Sequence, residues 1–300
     1  MDGAALTASE HAGLKALSRR SDVRGLLRFG EHLLLLAGTT TLVLLAEGGP
    51  WLVPALLLQG TAIVFLFCAA HEAIHRTAFR TRALNDAVAW ICGLAILLPP
   101  AHFRAFHLAH HRYTQDPARD PELTEPKPRS LGAYLRHLSG LAYWRGQIAA
   151  LLRHASGRVE ETYVRRQDRG KVVREARLFL AVYAGVAGLS LWASSALAML
   201  VWVVPVLLGQ PVLRAFLLAE HHGCPENGDM MLNSRTTRSN AVLRWLAWNM
   251  PFHGAHHAYP ALPFFALPAA QKILSNRART QASGYLAFHR DVVAGYLGGR

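Results

Sequence analysis

Apolar and polar residues fall into long separate blocks along this chain instead of alternating. A polar, basic stretch runs through residue 31 and predicts, in part, an amphipathic helix. Residues 32–47 are then apolar apart from Gly38-Thr39-Thr40-Thr41, and Glu47-Gly48-Gly49-Pro50 reads as a turn. Residues 51–70 form a second apolar run, close to the roughly 20 residues that a bilayer crossing needs. The longest apolar block, residues 178–219, contains Arg214 as its only charge. At about 1.5 Å per residue it is too long for one crossing and suits two, residues 178–194 and 197–219, with Ala193-Ser194-Ser195 between them. The pattern predicts an all-α integral membrane protein with four transmembrane helices in two hairpins.

The remaining blocks differ in kind. Residues 87–100 are apolar but too short to span, which suggests a buried or re-entrant segment that Pro99-Pro100 stops. Residues 116–129 are charged and proline-rich, a loop. From Ser130 to Arg177 apolar residues recur near helical spacing within a heavily basic background, as in helices lying on a membrane surface. The run from Arg165 to Arg177 reads as a solvated face meeting anionic lipid; an acidic electron donor is the other partner it would suit.

Charge orients this arrangement. The chain has 300 residues, 52% of them hydrophobic, and a net charge of +13. The Lys and Arg residues lie almost entirely outside the apolar runs, and the two hairpin turns have none. Basic loops mark the cytoplasmic side, so both termini are expected in the cytoplasm of a multi-pass protein, for example of a bacterial inner membrane. Residues 1–31 would be a cytoplasmic lead-in and residues 32–300 one membrane domain. The scattered arginines and long apolar runs exclude a nucleic-acid partner. Cys68, Cys92 and Cys224 are far apart and form no metal or disulfide motif. No secretory signal is expected, because the first apolar run is long and lacks a small-residue cleavage site.

The chemistry lies in the histidines. Eight of the sixteen fall into three compact boxes: His71-Glu-Ala-Ile-His75, His107-Leu-Ala-His110-His111 and His253-Gly-Ala-His256-His257. Residues at i, i+3 and i+4 of a helix share a face, so each box aims its imidazoles at one place. All three boxes also fall on the side assigned as cytoplasmic by charge alone. With His221 or His222, about nine imidazoles are available. That exceeds the four of a tetrahedral zinc and suits two metals with open positions; a nitrogen-rich, carboxylate-poor set suits iron and oxygen chemistry. Residues 71–75 also match H-E-x-x-H, the signature of a zinc metalloprotease. An intramembrane protease would leave the other two boxes without purpose, so Glu72 is expected instead to partner a histidine N–H. Asn249 is expected to orient a ligand or to cap the helix carrying the third box. His11, His32, His102, His137, His154 and His289 read as surface or packing residues.

With these boxes the chain resembles the membrane fatty acid desaturase superfamily, whose three boxes are H-x-x-x-H, H-x-x-H-H and H-x-x-H-H. The likeness extends through Arg112-Tyr-Thr, Asp116-Pro, Asp120-Pro-Glu, and Asn249-Met-Pro-Phe before the third box. The resemblance implies a non-haem diiron enzyme using O2 and two external electrons. It implies that His71, His75, His107, His110, His111, His253, His256 and His257 hold two iron ions. Glu220-His221-His222-Gly223 resembles a Glu-His-x-Gly string of related alkane hydroxylases, which favours His221 over His222 as a further ligand. A lipid or other hydrophobic substrate is implied. So is a separate ferredoxin, rubredoxin or cytochrome b5-like donor with its reductase, since no such cysteine set or fused domain is present. The expected reaction is introduction of a double bond into a fatty acyl chain of a lipid; the alternative is a hydroxylase or ketolase of a lipid, alkane or terpenoid.

Overall fold

A computed structural model describes residues 6–226 and 228–298; residues 1–5 and 299–300, the outer ends of the expected lead-in and membrane domain, lie outside the described residues. The chain is helical. In order, α1 is Ala8–Leu17, α2 Asp22–Leu45, α3 Leu52–Val64, α4 Leu66–His75, α5 Arg82–Ala95, α6 Pro100–Tyr113, α7 Leu131–Leu138 and α8 Leu141–Ala155. There follow α9, Arg169–Trp192; α10, Val204–His221; α11, Met230–Asn233; α12, Ala241–Leu246; α13, His253–Ala258; α14, Leu267–Ile273; and α15, Tyr285–Leu297. Two residue pairs form a short parallel β-bridge, Thr236 with Gln281 and Thr237 with Ala282.

Two helical stretches are long and apolar enough to cross a membrane: Leu52–His75, which joins α3 to α4, and Met199–His221, a π-helical turn continuing into α10. The α5–α6 pair, bent by 101°, adds a third if it is taken as one broken span. The expected crossings at 32–47 and 178–194 fall largely within the C-terminal parts of two longer helices, α2 and α9. Asp22, Arg24, Arg28 and Glu31 begin α2, and Arg169, Lys171, Arg174, Glu175 and Arg177 begin α9. Those charged starts dilute the apolar runs that follow. Ser21 caps α2 through Arg24 N at 3.3 Å, and the helix runs without interruption past residue 31 to Leu45.

The two apolar spans cross backbone against backbone. A Cβ added to Gly60 of α3 would stand 2.1 Å from Pro205 O, and one added to Gly209 of α10 would stand 2.3 Å from Gly60 O. Small residues allow this approach, the usual basis of helix association where lipid removes the hydrophobic drive. The preceding residue, Gln59, ties three elements together. Its Nε2 donates to Thr40 Oγ1 at 2.9 Å and to Val201 O at 3.0 Å, and its Oε1 accepts from Thr39 of α2.

The sharp turn between α5 and α6 also has a local cause. Leu98 N donates to Gly93 O at 2.7 Å, while Leu98 O lies where a Cβ on residue 93 would be, at 2.3 Å. Leu97 takes a left-handed φ of 59°, and Pro100 then opens α6 with the preset φ of a first helical residue. The result points the second histidine box back towards the end of α4.

Candidate metal centre

Four elements deliver the imidazoles. The last turn of α4 carries His71 and His75, and Arg76 stops that helix in a left-handed conformation, φ 62°. His107, His110 and His111 lie on the C-terminal half of α6, His221 is the final residue of α10, and α13 is little more than the third box itself. Residues from all three boxes meet. The ring of His71 lies 4.3 Å from that of His107 and 4.7 Å from that of His256.

The donor nitrogens sort into two groups. Ligand atoms of His71, His75, His107, His111 and His256 lie within 4.8 Å of one another, and so, separately, do those of His110, His221 and His257. His253 extends the second group, its Nε2 standing 2.9 Å from His221 Nε2.

Hydrogen bonds on the far side of the second group determine which nitrogen faces inward. His221 Nδ1 meets the carbonyl oxygen of Asn233 at 2.9 Å; a carbonyl only accepts, so Nδ1 carries the proton. His110 Nδ1 meets Asp120 Oδ1 at 3.0 Å and Oδ2 at 3.1 Å, with Glu122 Oε2 also at 3.1 Å. Thr114 spends its hydroxyl proton on His110 O at 2.7 Å, so at 3.2 Å it accepts from His257 Nδ1. As neutral imidazoles, the form that binds metal, the three histidines therefore turn bare Nε2 lone pairs towards one region. His110 Nε2 and His221 Nε2 lie 3.2 Å apart, where two lone pairs repel unless a cation lies between them. Imidazole nitrogens bind a metal such as zinc at about 2.0–2.1 Å, so neighbouring ligands stand about 3 Å apart.

The first group tells the same story through close nitrogens and a missing partner. His111 Nε2 stands 2.9 Å from His107 Nε2 and 3.1 Å from His256 Nε2, and His75 Nε2 is buried without a hydrogen-bond partner. Buried polar atoms seldom stay unpaired without a ligand. Burial also holds His253, His256 and His257 well below the usual imidazole range, in the neutral form that binds metals. The residues fit a pair of metal ions.

Of the His221/His222 pair the favoured His221 joins the cluster, while Glu72 and Asn249 depart from their expected roles. His222 does not join the cluster; its Nε2 meets Tyr296 OH at 3.1 Å, because α10 ends at His221 and the next residue is extended and turned away. Glu72 touches no histidine. Its Oε2 accepts from Thr77 Oγ1 at 2.8 Å and Phe264 N at 3.1 Å, so it ties the end of α4 to the loop before α14. Asn249 neither orients a ligand nor caps a helix with its side chain. It takes a left-handed φ of 60°, which asparagine tolerates well, and Nδ2 donates to Phe264 O at 3.2 Å.

Other residues were not singled out from the sequence. Asp120 accepts from His110, Gln115 N at 2.8 Å and Glu122 N at 2.9 Å, so its carboxylate is fully engaged. Thr114, Gln115 and Asn233 complete the outer layer; Gln115 Nε2 donates to His221 O at 2.6 Å. The Asp120-Pro-Glu string was the available signal, but no spacing rule links it to His110. His102 and His154 meet around Glu161, whose Oε1 lies 2.9 Å from His154 Nε2 and 2.5 Å from Arg153 Nη2, and this cluster walls a cavity of about 360 Å³. The cavity reaches the metal cluster at His71, His107, His110 and His253.

The fold and site together define a class: a helical membrane protein with a histidine cluster compatible with a metal site. The chain belongs to the fatty acid desaturase family, whose model, described as "Fatty acid desaturase", matches residues 49–289. It is therefore an oxidoreductase by family, and lipid and membrane association go with that membership. It is 28% identical to dihydrorhizobitoxine desaturase of Bradyrhizobium elkanii, over 89% of this chain and 78% of that protein. It is 26% identical to sn-1 oleoyl-lipid 12-desaturase of Picosynechococcus, over 68% of this chain and 61% of the relative. A sphingolipid delta(4)-desaturase of Drosophila melanogaster matches at 27%, over 74% and 66%. The alignments thus span about three-fifths to four-fifths of these relatives' lengths. The family does not favour the protease reading of residues 71–75. The geometry of Glu72 agrees, since its carboxylate is held by Thr77 and Phe264.

Proposed function

We propose that the protein is an O2-dependent membrane diiron oxidoreductase that introduces a carbon–carbon double bond into a substrate chain. The observation that carries this reading is the convergence of bare imidazole nitrogens into two adjacent groups. His71, His75, His107, His111 and His256 would hold one iron ion, and His110, His221, His253 and His257 the other. The pair of irons would supply the capacity to reduce O2 and to take hydrogen from an unactivated methylene.

The overall reaction balances as –CH2–CH2– plus O2, two electrons and two protons giving –CH=CH– and two waters. Two of the four electrons that reduce O2 leave the substrate with its two hydrogens. The other two come from a separate donor of the ferredoxin, rubredoxin or cytochrome b5 kind. The chain's own residues contribute position and dryness. Asp120, Asn233 and Thr114 hold three imidazoles in one tautomer, so no proton must leave the inward nitrogens before metal binds. Phe67, Phe103, Leu217 and Met250 line the cavity beside the cluster and keep water from the reacting carbons.

The same reading has α2 and α9 accompany the two apolar spans, making two hairpins with the cluster at their cytoplasmic end. Large apolar side chains stand exposed on both helices, among them Leu34, Leu45, Leu189 and Trp192, as expected of surfaces facing lipid. Leu135, Leu141 and Leu152 of α7 and α8 are likewise exposed beside basic residues, which suits helices resting on the membrane.

The test is a mass profile of lipids and small acids from cells expressing the chain, against cells expressing His110→Ala. A product lighter by two hydrogens, absent with the variant, is expected. A product heavier by one oxygen would replace this reading with a hydroxylase, and identical profiles would reject both.

A further inference from the structure

We propose that Arg214 recognises a carboxylate, and that the substrate entering the cavity is a free acid of modest size. This rests on the oxidoreductase reading above. The charges around the cavity support it. Glu122 has Lys127 Nζ at 3.3 Å and His110 at 3.1 Å. Glu161 has Arg153 and His154. Glu220 Oε1 stands 3.3 Å from His253 Nδ1, within ion-pair distance though off the line of a hydrogen bond. Glu125 lines the same cavity and is exposed. Arg214 lines the same cavity, yet among the described residues no carboxylate comes within ion-pair distance of it. Its Nε is buried with no hydrogen-bond partner, and its guanidinium rests 4.3 Å from the centre of the Tyr143 ring.

An unpaired cation inside a membrane-spanning helix is costly and marks a functional site by default. The aromatic face of Tyr143 steadies the guanidinium without using its N–H groups. Those donors form a planar fork that matches a carboxylate. Arg214 also precedes His221 by seven residues, two turns of α10. The two side chains therefore leave the same face, about 10 Å apart along the axis. An acid held at Arg214 would extend along that face towards the metal cluster. The cavity, about 360 Å³, is at the small end for ligand sites. That favours a compact acid over the headgroup and two chains of a membrane lipid.

Calorimetry on the iron-loaded protein in nanodiscs tests this with octanoate, octanamide and octyl phosphate. Wild type is expected to bind octanoate about tenfold or more tighter than octanamide, the least that a charge-assisted hydrogen bond contributes. Arg214→Gln should abolish that preference, with octanamide affinity and iron content unchanged, and Arg214→Lys should keep part of it. Equal affinity for the two probes, binding of neither, or a preference surviving in Arg214→Gln would overturn the proposal. Tighter binding of octyl phosphate than octanoate would overturn the carboxylate assignment. The readout is independent of turnover: a charge preference without any double-bond formation would sink the reaction proposed above and leave this inference standing.

Discussion

His221 Nε2 and His253 Nε2 lie 2.9 Å apart although 32 residues separate them, and His221 carries its own proton on Nδ1, towards Asn233 O. That contact joins the end of a membrane span to the third histidine box. It distinguishes His221 from its neighbour His222, which bonds Tyr296. His221→Ala should therefore lower bound iron towards one per chain and abolish activity. His222→Ala should keep two irons and remain within a few-fold of wild type. Elemental analysis of the purified variants checks this, and equal iron loss in both would reject the assignment.

In the proposed centre, Asp120 would act on metal through His110, whose Nδ1 its carboxylate accepts from. Partners of metal-bound histidines typically contribute about 10–100-fold in affinity or activity. Asp120→Ala should weaken iron retention by that order, measured as release rate to a chelator, while Asp120→Asn recovers part by keeping an acceptor for His110 Nδ1–H. Asp116→Ala, whose carboxylate is half-buried and pairs Arg119 at 2.5 Å, should leave iron retention unchanged.

Gly60 and Gly209 permit the contact of the two apolar spans, and a methyl group at either meets backbone that cannot yield. Gly60→Ala should destabilise the folded protein by about 3 kcal/mol, the upper end for overpacking. Gly38→Ala, where the added Cβ meets nothing within 4 Å, should be neutral or stabilising by about 0.5–1 kcal/mol. Thermal unfolding in detergent compares them; equal effects would show that the helix crossing is looser than described.

The metal-free protein should lose stability in acid. Burial holds His253, His256 and His257 well below the ordinary histidine value. A group depressed in the folded state binds its proton more readily when unfolded, so its contribution is fully present above the unfolded value, about 6.5, and declines as pH falls below it. Each such histidine adds a slope of up to about 1.4 kcal/mol per pH unit in that window. A flat melting temperature between pH 7 and pH 5 in the metal-free protein would contradict this.

How far the sequence reaches is seen best by comparing residues. Helix spacing alone brings His107, His110 and His111 to one face, and a long apolar run alone makes Leu52–His75 a candidate span. Both depend on local periodicity, which a sequence displays directly. The family-specific strings around the boxes were legible for the same reason.

What only the tertiary structure decided concerns contacts between distant segments. Which of His221 and His222 turns inward depends on where α10 stops. That Glu72 serves Thr77 and Phe264 instead of a histidine, and that Asn249 pins Phe264, depends on the loop before α14 folding back across the cluster. That Arg214 has no carboxylate within ion-pair distance among the described residues is known only once the distances between the elements around the cavity are fixed. A sequence shows which side chains share a helix face. Hydrogen bonds and ion pairs between elements depend on distances of about 3 Å across separate helices, and these exist only once the chain has packed.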